Sequence, residues 1–275
     1  MSGVDRPGTL HGGAEAFRAL HVPGRPLLLP NPWDVGSARI LVSLGFRALA
    51  TTSSGHAATF GRMDGDVTRD EALAHAAQLV EAVDVPVSAD LESGFGEDPA
   101  AVYDTVTAAV SIGLAGCSIE DYSGDTGRYE IAAAADRVAA AVAAAEGIVL
   151  TARAENFFRE REPDLGDTIA RLQAYQDAGA DVLYAPGLAD LGDVRRVVAA
   201  VDRPVNVLAW PGLGSIAELA EAGVARVSVG GAFAYAAMEA LVRAGRELLD
   251  DGSLGFLDRI ADGRRQARTA FAPRR

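Results

Sequence analysis

The chain has 275 residues, 49% of them apolar and 23% charged, as in an ordinary soluble globular protein with a sizeable core. Its formal net charge of -13 argues against nucleic-acid binding, which needs clustered Lys and Arg. The single cysteine, Cys117, rules out an intrachain disulfide or a multi-cysteine zinc site. Since MSGVDRPGTLHGG lacks the regions of a signal peptide and no run approaches eighteen apolar residues, a cytoplasmic protein with no membrane span is expected.

From the N-terminus onward the sequence repeats one unit: an Ala-rich amphipathic stretch, a Gly or Asp, a short β-branched run, a polar loop. That alternation builds a parallel sheet. Strands are expected near 27-29, 46-52, 86-92, 116-120, 148-154, 181-185, 204-209 and 226-230. Helical patterns lie near 35-44, 69-83, 98-112, 131-146, 165-178, 190-200, 214-222 and 231-250, with further helices at 13-21 and 255-270. "SLGF", "SIGLAG", "DAGAD" and "EAGVA" mark helix ends, where Gly takes the left-handed conformation. Eight βα units without a long linker read as one α/β domain over 1-275, a (β/α)8 TIM-type barrel. The rival is a doubly wound open sheet, but no G-x-G-x-x-G follows the first strand. The N-terminus and residues 253-275 read as frayed, and Arg264, Arg265, Arg268, Arg274 and Arg275 as a solvated helix face.

Alternate side chains on a strand share a face. In "VPVSADLESGFGED", Ser88, Asp90 and Glu92 point one way, and Val87, Ala89 and Leu91 point the other, toward the outer helices. Thr151, Arg153 and Glu155 stand likewise opposite Leu150, Ala152 and Ala154. "SIED" brings Ser118 and Glu120 to the end of the fourth strand, and "TTSSGH" follows the second. Barrel enzymes place their chemistry at such strand ends. Two like charges about 4 Å apart repel by roughly 4 kcal/mol at an effective dielectric near 20. Arg153 can neutralise one acid, but Asp90, Glu92 and Glu120, with Asp64 or Asp121, exceed its capacity. A divalent cation offsets the remainder, and an all-oxygen set suits Mg2+ or Mn2+. The bland alternative is ordinary salt bridges or helix caps; Asp98, before Pro99, reads as such an N-cap.

These segments, together with "NPWDVGSARILVSLGFRALATTSSG", "GLAGCSIED", "LTARAENF" and "AGADVLYAPG", resemble the isocitrate lyase and phosphoenolpyruvate mutase superfamily over nearly the whole chain. The resemblance implies a barrel whose last helix is exchanged between subunits of a homodimer or homotetramer. It also implies Mg2+ and a 2-oxo acid or phosphonate substrate, or one that yields an enolpyruvate-like intermediate. Asp90 and Glu92 match the two acids of the metal segment, Glu120 the acid on the next strand, and Arg153 the arginine that meets the substrate's charge. Ser53, Ser54 and Gly55 match a carboxylate clamp, and Asp64 the acid of the loop after the second strand.

The lyases' K-[KR]-C-G-H loop is replaced here by "YSGDTGRYE", and the phosphonate mutases' Lys and Asn are missing too. Cys117, on the strand face opposite Ser118, reads as a core residue. The expected function is therefore a Mg2+-dependent lyase cleaving a carbon-carbon bond of a small 2-oxo or dicarboxylic acid. Mutase or hydrolase action at a carbon-phosphorus bond, or a non-catalytic 2-oxo acid sensor, are the alternatives. Residues 122-130 read as a lid.

Among the remaining polar residues, His56 reads as a substrate contact, a proton carrier or a pocket wall. Asn206 either hydrogen-bonds substrate or is buried structurally. Asn31 and Asp34 reach the site, or Asp34 caps a helix. Tyr184 faces the mouth or packs outward. His11, His21 and His75 read as non-catalytic. "VSVGGAF" reads as close packing, with a phosphate cradle as its rival.

Overall fold

Short β-branched runs separated by Ala-rich helices form eight parallel strands in the computed structural model, which describes residues 13-272. His11, Arg274 and Arg275 lie outside the described residues. The strands are β1 (Leu27–Leu29), β2 (Leu49–Ala50), β3 (Val87–Asp90), β4 (Gly116–Glu120), β7 (Val149–Arg153), β8 (Val182–Tyr184), β9 (Val205–Leu208) and β10 (Arg226–Ser228). Their order in the sheet is β1-β10-β9-β8-β7-β4-β3-β2. The seam between β1 and β2 is bridged by the Ala50 amide, which donates to Pro30 O (3.1 Å), and by Asn31 Nδ2, which donates to Thr51 O (2.9 Å). The sheet is thus a nearly closed barrel, and the open doubly wound alternative is excluded.

All eight expected helices surround it, among them α2 (Val35–Ser43), α4 (Arg69–Ala82), α6 (Ile131–Ala144), α8 (Leu165–Asp177) and α11 (Ala232–Asp250). Asp34 caps α2 in a capping box with Ser37, which settles its role as structural. Asp98 stands at the N-cap before Pro99, as expected, but its side chain makes no capping hydrogen bond. The helix expected at 255-270 forms as α12 (Phe256–Arg259) and α13 (Ala261–Ala270), so this part of the stretch read as frayed is ordered. Gln266 anchors α13 to α2 by donating to Ser43 Oγ (2.7 Å). Arg264, Arg265 and Arg268 are exposed, as anticipated.

Two apolar layers separate as the strand alternation requires. Ala89, Leu91, Cys117, Leu150, Ala152 and Ala154 face the helices in the large outer core. Inside the barrel, Leu27, Leu29, Val149 and Val182 pack with Phe17 of α1 (Ala14–Ala19), which closes the floor. Gly116 makes room for that ring: a Cβ there would lie 2.8 Å from Phe17 Cε1 and 2.7 Å from Val149 O. Burial pushes the Cys117 thiol up to about 12, in keeping with a core residue.

Four short elements escape the sequence periodicities. α3 (Ser53–Thr59) and α7 (Asn156–Arg159) interrupt expected loops, and β5 (Tyr122–Ser123) pairs antiparallel with β6 (Gly127–Arg128) within the expected lid.

Candidate active site

The open end of the barrel holds a cavity of about 720 Å³. Its wall includes Ser53, Ser54, Asp64, Asp90, Glu92, Glu120, Arg153, Tyr184 and Asn206. Strand ends bring these residues together from positions more than 150 apart in the chain.

Arg153, at the end of β7, is the hub. Its Nη1 donates to Asp90 Oδ1 (2.8 Å) and its Nε to Glu155 Oε1 (2.9 Å), while Nη2 lies 3.0 Å from Glu120 Oε2. Burial opposes its charge, but Glu155, Asp90 and Glu120 overcome this and hold its pKa well above the ordinary value. One arginine therefore engages three acids, rather than the single one expected. Glu155 is a member that sequence reasoning placed on the right face without giving it a role. Arg159 was missed: it sits 3.6 Å from both Glu120 Oε1 and Glu155 Oε2. The i,i+4 spacing of Glu155 and Arg159 on a helical turn was the available signal.

Burial, aided by Glu155 and Asp90, pushes the Glu120 carboxyl up against the pull of Arg153. Glu92 stands in the left-handed region, at φ 49°, where a non-glycine residue is strained. Burial, then the charges of Asp90 and Asp64, raise its pKa to about 8. Ser53 Oγ donates to Asp90 Oδ2 (3.2 Å), and Asp64 lies exposed at the cavity edge.

Asp121 leaves the mouth altogether. Its carboxylate accepts the Glu155 amide (2.8 Å), the Tyr175 hydroxyl (2.6 Å) and Arg171 Nη1 (3.0 Å), so it fixes the strand end that carries Glu155. The β5–β6 hairpin is tied down nearby. Glu97 accepts the hydroxyls of Ser123 (2.8 Å), Thr126 (3.0 Å) and Tyr129 (2.9 Å), and Arg137 holds the Glu97 and Ser93 carbonyls.

Two assignments change because 53-59 is a helix. His56 is turned out of the cavity: its ring stacks on His75 at 3.8 Å between centroids and meets Phe60 edge-on. Gly55 does not line the cavity. Its amide donates to Thr52 Oγ1 (3.3 Å), and a Cβ there would lie 2.6 Å from Thr52 Cγ2, so its role is close packing. Only Ser53 and Ser54 of the expected clamp reach the wall. Asn206 lies beneath the mouth, with Oδ1 accepting from Arg226 Nε (3.0 Å) and Nδ2 donating to Ser228 Oγ (3.0 Å). These bonds favour the buried structural reading. Tyr184 faces the mouth, with the Arg153 guanidinium 5.4 Å from its ring centre. Asn31 Oδ1 accepts the amides of Val229 (3.0 Å) and Gly230 (2.9 Å), which removes them from any phosphate cradle.

Among the described residues, no three His, Cys, Asp or Glu side chains already converge as a metal cage. The donors nonetheless fit Mg2+, which keeps much of its water and takes one or two carboxylates. Glu92 lies largely buried beside Asp90, its carboxyl raised by burial first and by the charges of Asp90 and Asp64 next, so a cation there would offset those like charges.

A parallel barrel with an acid-and-arginine cluster at its open end defines the class: an α/β barrel of the lyase and mutase type. The sequence pattern of the phosphoenolpyruvate phosphomutase family matches residues 17-249, and the chain belongs to that family, within the isocitrate lyase and phosphoenolpyruvate mutase superfamily. A provisionally named lyase/mutase of Burkholderia cenocepacia shares 50% identity, with a TM-score of 0.90 over 96% of this chain and 98% of that one. The 2-methylisocitrate lyase of Escherichia coli is 29% identical over 212 residues, 72% of this chain and 70% of its own. Oxaloacetate acetylhydrolase, solved with its product oxalate, is 25% identical, with a TM-score of 0.82 and 94% of each chain covered. The superfamily is one of enzymes acting on small acids. No helix among the described residues is long and apolar enough to cross a membrane.

Proposed function

We propose that the chain is a Mg2+-dependent lyase, with Mn2+ as a substitute ion. It would cleave a carbon-carbon bond of a small 2-oxo or dicarboxylic acid through an enolpyruvate-like intermediate. The observation that carries this reading is the clustering of Asp90, Glu120 and Glu155 on one guanidinium, with the largely buried Glu92 two residues on from Asp90, its amide 3.4 Å from Asp90 Oδ1.

Asp90, Glu92 and Glu120 would hold the ion, which supplies a Lewis acid where negative charge develops. Arg153 keeps a permanent positive charge beside the anionic substrate, and its bonds to three acids hold the guanidinium in place before substrate arrives. Ser53 orients Asp90, and with Ser54 it forms the opposite polar wall. Tyr122, Ser123 and Gly124 of the hairpin line the cavity, where the hairpin would act as a lid that limits access of water. It lacks the lyase loop cysteine, so the proton for the departing carbon comes from water or from a residue elsewhere.

Oxaloacetate, substituted malates, methylisocitrate and phosphonopyruvate, assayed with and without Mg2+ for pyruvate, carbon dioxide and phosphate, test this reading. Metal-dependent pyruvate release from a carbon acid supports it. Phosphate release instead assigns carbon-phosphorus chemistry, and binding across the panel without turnover assigns a sensor.

The proposal includes a homodimer or homotetramer built around α11. Of that helix only Ala234 is buried, while Leu241 and Leu249 are 73% and 84% exposed. Light scattering at the monomer mass would oppose this assembly.

A further inference from the structure

The cavity wall is chemically divided. The ends of β2, β3, β4 and β7 carry the serines, the acids and Arg153. Beyond β8 and β9 the wall turns apolar, with Pro186, Leu208, Trp210 and Pro211 from the strand ends, Phe158 from α7 and Tyr235 from α11. Phe158 and Trp210 meet edge-on, 6.3 Å between centroids at 85°, yet remain 41% and 46% exposed. Aromatic faces left open at a cavity wall gain from any apolar group that covers them.

Size and charge point the same way. Cavities of roughly 300–1,000 Å³ suit drug-sized ligands, and about 720 Å³ is far more than a six-atom oxalate fills. A second carboxylate would find no ready cation in the apolar half. Arg159 is already placed between Glu120 and Glu155, with its guanidinium 4.5 Å from the Tyr122 ring centre. Arg226, beneath the mouth, is bonded to Asn206, His21 Nε2 (3.1 Å) and Thr151 Oγ1 (3.0 Å). The Val229 and Gly230 amides are taken by Asn31.

We infer that the preferred ligand is a 2-oxo monocarboxylic acid with a branched or aromatic apolar arm, its acid end among the Arg153 cluster and its arm on Phe158 and Trp210. The inference rests on the proposed 2-oxo acid site and adds the class of substituent that the site selects.

Calorimetry with Mg2+ on the full chain tests it, using oxalate, pyruvate, 4-methyl-2-oxopentanoate, phenylpyruvate, 2-oxoglutarate and the isostere of the last, 5-methyl-2-oxohexanoate. Affinity is expected to rise about tenfold or more from pyruvate to phenylpyruvate. 5-Methyl-2-oxohexanoate should bind more tightly than 2-oxoglutarate. In Phe158→Ala and Trp210→Ala the ratio of phenylpyruvate to pyruvate affinity should collapse toward one, and Trp210→Phe should retain most of it. Oxalate binding with a flat series, or a preference for 2-oxoglutarate over its isostere, overturns the apolar arm and leaves the acid site standing. Failure of oxalate and every oxo acid to bind overturns the site itself, and the arm with it.

Discussion

Arg153 Nη1 lies 2.8 Å from Asp90 Oδ1, across the strand β4 that separates the two residues. This contact ties the residue expected to meet the substrate's charge to the residue expected to carry the metal, so neither can be altered without disturbing the other.

Asp90→Ala removes both the proposed cation ligand and an Arg153 partner. Metal-dependent turnover should disappear while the far-UV circular dichroism remains that of the wild type. Retained turnover with unchanged Mg2+ dependence would defeat the site assignment.

Arg153→Ala should cost at least about a hundredfold in rate, on the order of ~3 kcal/mol for a strong charge-stabilising contact. It also strands Asp90, Glu120 and Glu155 at a buried site, so the thermal midpoint should fall sharply without metal and recover in part when Mg2+ is added. A near-normal rate would count against the role of Arg153.

The Asp121 network makes a purely structural prediction. Asp121→Ala leaves Arg171 and Tyr175 without their shared acceptor, a loss of about 3–5 kcal/mol for a broken buried pair. Tyr175→Phe should cost only about 1–2 kcal/mol. Urea denaturation separates the two, and equal costs would contradict the assignment of Asp121 as the shared acceptor of Arg171 and Tyr175.

Two buried histidines set an acid limit on stability. Burial, then Arg226, pushes the pKa of His21 down to about 3; burial, then His56, pushes that of His75 down to about 4. As pH falls below the ordinary value of 6.5, the unfolded chain takes up these protons before the native one does. Stability is therefore complete above pH 6.5 and declines toward pH 4 for His75 and toward pH 3 for His21, by about 1.4 kcal/mol per pH unit per group. Urea midpoints at pH 7.5 and pH 5 should differ, and His75→Gln should flatten the profile. Equal wild-type midpoints would refute this.

The barrel was legible because the large outer core depends on strand alternation, and Leu150, Ala152 and Ala154 announce that periodicity in the chain itself. Asp90, Glu92, Glu120 and Arg153 were legible for the same reason, as strand ends. What escaped was local. Residues 53-59 carry too few apolar positions to declare a helix, yet one helical turn is enough to swing His56 onto His75 and convert Gly55 from a clamp to a packing contact. Glu155 and Asp121 look equivalent as acids after strands, and only tertiary neighbours, Arg153 for one and Arg171 for the other, separate them.

Phe17 plugs the barrel from below, at the end opposite the acid cluster. For the proposed lyase, substrate and product would pass the rim beside the hairpin that Glu97 clasps with three hydroxyl bonds. Under that proposal the ceiling on turnover passes to the rate at which the clasp lets go whenever bond breaking is faster than departure.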